Sequence, residues 1–424
     1  MNHTIGRRTL LKGIAAVGAS NLLAVPAFAV PRPVKIGVVM PKTGPLALFA
    51  EQLDFVIRQV SHQYKGSLNI GGTKHPLEII VKDSQSNPNR ASEVASELIL
   101  QHKVDIIISS GTPETANPVS DQCDLNGVPS VSTCTPIESW FFGRNGNPKV
   151  GFEWSHNFCF NVPDLVGSFL GIWNKVPGNR KKIGLLLAND NDGNALSGLM
   201  PDLLRKDGYT VVDPGRFDLP ASNYTTQITA FKKADVDGVF MSLSPPEVAS
   251  FWNESAQQGF KPLFVTPGKG GEFPSAVYPF GSRGINLSIE VWWDRVYPFS
   301  SSITKQTAGE LVDEYEASSA SGRQASMPLG FTHALFELAI AALLNAESIA
   351  DRKSVRNALR NTKHQTVVGP LDFNNGPLPN TAKTPLAGGQ WRKGRKWPLE
   401  LVIVDNTMAP GIPLGGQVEA ISYK

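Results

Sequence analysis

The feature that most constrains this chain is a rhythm that occurs twice. Short apolar runs rich in β-branched residues alternate with stretches that have helical spacing. Val34 to Met40 opens the first round and ends in a Pro/Gly turn, Pro41 to Pro45. Leu48 to Tyr64 then reads as an amphipathic helix, with Leu53, Val56, Ile57 and Val60 on one face. Leu77 to Lys82, Val104 to Ser109 and Val128 to Ser132 read as strands, separated by helices at Ala91 to His102 and Pro118 to Asn126. The second round places strands at Ile183 to Leu187, Thr210 to Asp213, Gly238 to Leu243 and Leu263 to Thr266. Its helices are Leu196 to Asp207, Ile228 to Lys233 and Pro246 to Gln258. Alternation of this kind buries a parallel sheet between helices on both faces. Two such units predict an α/β protein of two doubly wound lobes. Ligands of such sheets lie outside the carboxyl ends of the strands, so facing lobes share a crevice suited to a small molecule.

The rest of the chain fits that plan. Ile285 to Trp293 follows the second unit, then long helices at Ala308 to Ser318 and Phe331 to Ala346. A Gly/Pro-rich tail has strands near Gln390 to Trp391 and at Leu399 to Asp405. At 424 residues the chain suits two domains, and 41% apolar against 18% charged residues provides a core. The formal charge is +3, but Arg7, Arg8 and Lys12 lie in a first segment of 29 residues with no acidic residue. Beyond it, basic and acidic residues balance at 37 each, which argues against binding of nucleic acid through its phosphates. The segment 1–29 itself has paired arginines before Leu10-Leu11-Lys12, an apolar stretch Ile14 to Val25, and Ala27-Phe28-Ala29. It reads as a twin-arginine export signal. Its apolar run is shorter than the ~20 residues of a spanning helix, and no later run is expected to span a membrane. Three cysteines, Cys123, Cys134 and Cys159, leave at least one unpaired within the chain, and no CxxC is present.

Signatures of catalysis are missing. There is no G-x-S-x-G elbow, no Walker loop and no H-E-x-x-H. Gly268-Lys269-Gly270-Gly271 is glycine-rich but lacks the dinucleotide spacing. The seven histidines are dispersed and form no metal-ligand pattern. A binding protein without cofactor or metal is expected, not an enzyme.

Several motifs then align with one family. Thr43-Gly44-Pro45 after the first strand, Asn69-Ile70-Gly71-Gly72, Lys82-Asp83-Ser84 and Asn89-Arg90-Ala91 come first. Ile106 to Gly111, Gly127 to Ser132 and Asn189-Asp190-Asn191-Asp192-Gly193 follow in order. Over nearly all of the chain after the signal, this resembles the type I periplasmic solute-binding proteins of ABC importers, the leucine-binding-like receptors. The resemblance implies two Rossmann-like lobes joined by three hinge crossings. Lobe 1 would hold 30–156 and 287–368, and lobe 2 would hold 157–286 and 369–424. It also implies hinge closure on a ligand, a periplasmic location, and an inner-membrane ABC permease as partner. A sensor of amides or amino-acid-like compounds, signalling to a regulatory partner, is the alternative.

The same resemblance places candidate ligand residues. Phe49, four residues after the loop proline, corresponds to the aromatic residue that packs on the ligand. The loop after the fourth strand carries Thr112 and Thr115, suited to an anion at a helix N-terminus but equally to plain capping. The second loop reads Cys134-Thr135-Pro136, and Pro136 has no N–H to offer. Where relatives place the acid that pairs with a ligand ammonium, this chain has Lys269 and no carboxylate. A cation there would attract a carboxylate. Trp140 and Trp292 suggest an aromatic or apolar body, and Asn191, Asp192 and Ser244 are further polar candidates. The expected ligand is therefore a small organic carboxylate with an aromatic or apolar body.

Overall fold

A computed structural model describes Met1, residues 31–318 and residues 322–423. The export signal expected at 1–29 lies outside the described residues, apart from Met1. The strands, in chain order, are β1 (Val34–Met40), β2 (Ser67–Ile70), β3 (Thr73–Asp83), β4 (Ile106–Ser110), β5 (Ser130–Thr133) and β6 (Ser155–Cys159). Then come β7 (Lys182–Leu187), β8 (Thr210–Val212), β9 (Gly238–Leu243), β10 (Phe264–Lys269) and β11 (Ser288–Val291). The tail contributes β12 (Lys363–Thr366), β13 (Gly369–Asp372), β14 (Thr381–Lys383), β15 (Ala387–Lys393) and β16 (Leu399–Asp405).

Lobe 1 is built on a seven-stranded sheet, β14-β6-β5-β4-β1-β3-β2, parallel except for β2 against β3. Lobe 2 is built on the parallel sheet β10-β9-β7-β8. A third, antiparallel sheet, β11-β15-β16, adjoins β10. In both lobes the first strand sits inside the sheet. The order reverses between β1 and β4 in lobe 1, and between β7 and β9 in lobe 2. Loops leaving such a reversal diverge to opposite faces and open a crevice. This is why the loops after β1, β4, β7 and β9 meet at one place.

The strands follow from the apolar runs. β4, β5, β9 and β10 are buried at every position. The helices begin earlier than apolar spacing alone indicates. The helix Asn191–Lys206 starts five residues before Leu196, because Asp190 caps it through the N–H of Gly193 at 2.7 Å. The helix Pro113–Asn126 starts five residues before Pro118, with Pro113 at its first turn, where proline lacks only an N–H that has no helical partner.

Two further expectations change. The lobe 1 sheet takes in β6 and β14, so the first crossing lies after Cys159 and not at 156, and 369–424 is shared between the lobes. The helix Pro328–Asn345 is long and apolar enough to cross a membrane by composition, contrary to the expectation that no later segment is. It is 89% buried and packs against β4 and β5, which is the position of a core helix.

Candidate ligand-binding site

β4 is followed by Gly111, whose φ of +145° and lack of Cβ are both required. A Cβ there would lie 2.6 Å from Thr115 Oγ1. The turn sets Thr112 at the N-cap of the helix Pro113–Asn126, but its side chain makes no capping bond. Glu114 stands in the first turn, at the positive end of the helix. From lobe 2, the cap made by Asp190 fixes the buried Asp192 in the first turn of its own helix. β10 ends at Lys269, whose φ of +66° is left-handed. Cys134, from the second lobe 1 loop, has a φ of +60°. Left-handed backbone is costly for residues other than glycine and persists where the surroundings enforce it.

These turns bring three carboxyl groups around one ammonium, with two more carboxyl groups beyond it. Lys269 Nζ is 3.2 Å from Asp192, 3.3 Å from Asp190 and 3.6 Å from Glu114, the last across the lobe boundary. Burial disfavours the charged lysine, but these carboxylates outweigh it and raise its pKa. Burial pushes Asp192 up to about 7 despite Lys269. Glu114 goes the other way: burial raises it, but the neighbouring Lys269 ammonium chiefly outweighs that, and it stays below the usual carboxylate range. Beyond Lys269, whose backbone N–H donates to Glu272 at 3.3 Å, Glu272 faces Glu290. Burial, and then the neighbouring Glu290, push Glu272 well up, while burial raises Glu290 to about 7. Two buried carboxyls so close share a proton.

Phe49, Phe160, Leu165, Leu196, Phe240 and Trp292 wall this polar floor, enclosing a cavity of about 40 Å³. Phe49 and Phe273 meet edge to face across the lobes at 4.9 Å, so the lobes are closed on the cavity.

Of the residues selected from the sequence, Phe49, Thr112, Cys134, Asp192, Lys269 and Trp292 line the cavity. The other five lie elsewhere. Thr115 turns its hydroxyl to the Thr112 carbonyl, and Thr135 turns its hydroxyl to the Gly111 carbonyl, both at 3.4 Å. Trp140 is in the lobe 1 core. Asn191 is exposed, and Ser244 caps the helix Pro245–Gln257 by position without a side-chain bond. The residues missed were Glu272 and Glu290. An acid, Glu272, lies three residues beyond the stretch 266–269 where none is found, and Glu290 is an isolated acid in the apolar run of β11, which is itself a sequence signal.

The shared proton gives a pH prediction. A carboxyl raised on folding stabilises the fold below its unfolded pKa, and that stability is lost as pH rises through the folded value. Glu290→Gln keeps a polar partner for Glu272 and removes one titration centred near 7. Urea unfolding between pH 5.5 and 8 should show the variant losing about 2–3 kcal/mol less stability than the wild type. Equal losses would mean that the pair does not hold a proton.

Comparison with known proteins gives the context. A family model described as "Periplasmic binding protein" matches residues 33–396. An amino acid binding protein of Pseudomonas aeruginosa is 22% identical over 265 residues, covering 62% of this chain and 67% of that protein. Among solved structures, a leucine binding protein from Thermotoga maritima superposes with a TM-score of 0.70 at 18% identity, covering 88% of this chain and 99% of that one. An ABC-transporter solute binding protein from Rhodopseudomonas palustris, in complex with 3,4-dihydroxy benzoic acid, gives 0.69 at 18% identity, covering 89% and 99%. Two lobes closing on a cavity at their paired strand ends agree with a family model that spans most of the sequence: the chain belongs to the periplasmic binding protein family.

Proposed function

We propose that this protein is exported to the periplasm by its twin-arginine signal and delivers a small amine to an ABC importer. The ligand has an apolar or aromatic body and a protonated nitrogen. The observation that carries the amine is the charge balance of the cavity. One ammonium, Lys269, faces Glu114, Asp190 and Asp192, and the Glu272–Glu290 pair adds further acidity. Asp192 Oδ1 and Glu290 Oε2 are buried and make no hydrogen bond. Buried acceptors left without a donor cost about 1–3 kcal/mol each, and a ligand N–H offsets that cost.

This replaces the expectation of a carboxylate held by Lys269. Its charge is already met by three carboxylates, and a ligand carboxylate would enter beside Asp192 and Glu290. The apolar body is supported by the walls, Phe49, Phe160, Leu165, Leu196, Phe240 and Trp292.

A thermal-shift panel on the chain from Val30 tests the reading. Phenylalanine amide, phenethylamine and leucine are set against benzoate and 3,4-dihydroxybenzoate at pH 7.5. A ligand at ~100 times its dissociation constant adds about 2.7 kcal/mol. Stabilisation by the amines, weakened about tenfold in Asp192→Asn, is the expected result. Stabilisation by the acids alone would end the amine reading and leave the receptor class intact.

A further inference from the structure

Glu272 lines two cavities. One side closes the cavity described above, and the other borders a second cavity of about 200 Å³ on the same seam between the lobes. The first cavity is about 40 Å³ with the lobes closed on it. The chain leaving β11 serves both. Trp292 faces the first cavity and Trp293 the second. Trp391, Trp397 and Glu400 bound the second cavity from the β15–β16 hairpin, and Glu316 bounds it from the lobe 1 side.

Among the described residues, one buried side-chain polar atom in the walls of this second cavity has no partner. Glu316 accepts Lys396 Nζ at 2.6 Å, a contact that crosses the lobes. Glu400 accepts the backbone N–H groups of Lys396 at 2.8 Å and Trp397 at 3.1 Å. Trp293 Nε1 donates to the Val367 carbonyl and Trp391 Nε1 to the Gly271 carbonyl, both at 2.9 Å. Trp397 Nε1 is buried and donates to nothing. Three indoles, one of them with an unused N–H, suit a flat apolar group that carries a hydrogen-bond acceptor.

We propose that the two cavities are halves of one binding site divided by Glu272: the ligand's amine lies against Glu272 and Glu290, and a second, flat apolar arm bearing an acceptor extends among Trp293, Trp391 and Trp397. The ligand class is then a two-armed amine with an amide or similar acceptor in the second arm. This rests on the amine reading given above.

The test compares phenylalanine amide, which has one arm, with phenylalanyl-phenylalanine amide, which adds a ring and a carbonyl. Calorimetry on the purified protein should find the dipeptide amide bound about tenfold more tightly, the effect of one added buried hydrogen bond and ring. Trp397→Phe keeps the ring and removes the N–H, and should cut that preference to about twofold while leaving phenylalanine amide unaffected. Trp397→His, which restores a ring N–H, should recover most of it. Equal affinities for the two probes, or a preference that Trp397→Phe leaves untouched, would overturn the second half-site alone. Binding of neither probe would overturn the amine reading and this proposal with it.

Discussion

Lys269→Met is expected to destabilise the protein by about 3–5 kcal/mol at pH 8, the usual cost of removing one partner from a buried ion cluster. The lysine side chain is 9% exposed and its Nζ is the ammonium shared by Asp192, Asp190 and Glu114. Without it, Asp192 and Glu114 keep their burial and lose the charge that offsets it. The loss should depend on pH in a definite direction. Asp192 titrates near 7 with Lys269 present, and removing that cation raises it further. At pH 5.5 the variant's Asp192 holds a proton, so the penalty should shrink to about half. Above pH 7 it should be complete. Lys269→Met combined with Asp192→Asn should recover most of the lost stability, because the cluster is then reduced on both sides. Urea unfolding of the three proteins at pH 5.5 and 8 decides the matter. A loss below about 1 kcal/mol, equal at both pH values, would mean that Lys269 is solvated and unpaired. The same variant also tests the ligand reading, since a more negative cavity should bind phenethylamine at least as well as the wild type does. If an aromatic acid bound the wild type and not Lys269→Met, the lysine would be the ligand's counter-ion after all.

Much of this architecture was legible because strand burial and sequence coincide. β1 and β9 have the bounds expected of them, since each is a mainly apolar run, broken only by Lys35 in β1 and Ser242 in β9. Helix starts were less legible. The first turns at Pro113 and Asn191 are polar and capped, and they carry no apolar period to read. β14 is three residues long and joins β6 from more than two hundred residues away, which local pattern cannot reveal. The site divides along the same line. Phe49, Thr112 and Lys269 follow strand ends, so topology alone places them at the crevice. The meaning of Lys269 depended on Glu114 across the boundary between the lobes and on Asp192 in another loop. A cation read alone suggested an anionic ligand, whereas the same cation among carboxylates suggests the reverse. Glu272 and Glu290 were hidden for the same reason, since their pairing is created by the packing of β10 against β11.

Trp140→Ala should cost about 3–5 kcal/mol of stability and leave ligand binding by the folded protein unchanged within about twofold. Its position after the second ligand loop suggested a cleft aromatic, but the short helix Ile137–Phe141 buries it completely within lobe 1. The indole N–H donates to Ser120 at 3.2 Å, and the ring meets Phe152 edge to face at 5.0 Å. The Arg144 guanidinium lies 4.8 Å from the ring centre, sandwiched against Phe152 at 3.9 Å. That arginine side chain is 1% exposed and ties the helix Pro113–Asn126 to β6, through Asp121 at 2.7 Å, Asp124 at 2.6 Å and Ser155 at 2.9 Å. Truncating Trp140 therefore opens a large cavity and strips one face from a buried cation, whose contact with a ring is worth about 0.5–2 kcal/mol. Trp292→Ala is the contrast, because Trp292 lines the ligand cavity and packs edge to face on Phe331 at 4.7 Å. It should lose both stability and affinity. Urea unfolding, paired with calorimetry against phenylalanine amide, separates the two residues. If Trp140→Ala changed affinity while stability held, the ring would belong to the ligand site and the lobe 1 core would have to be held together without it.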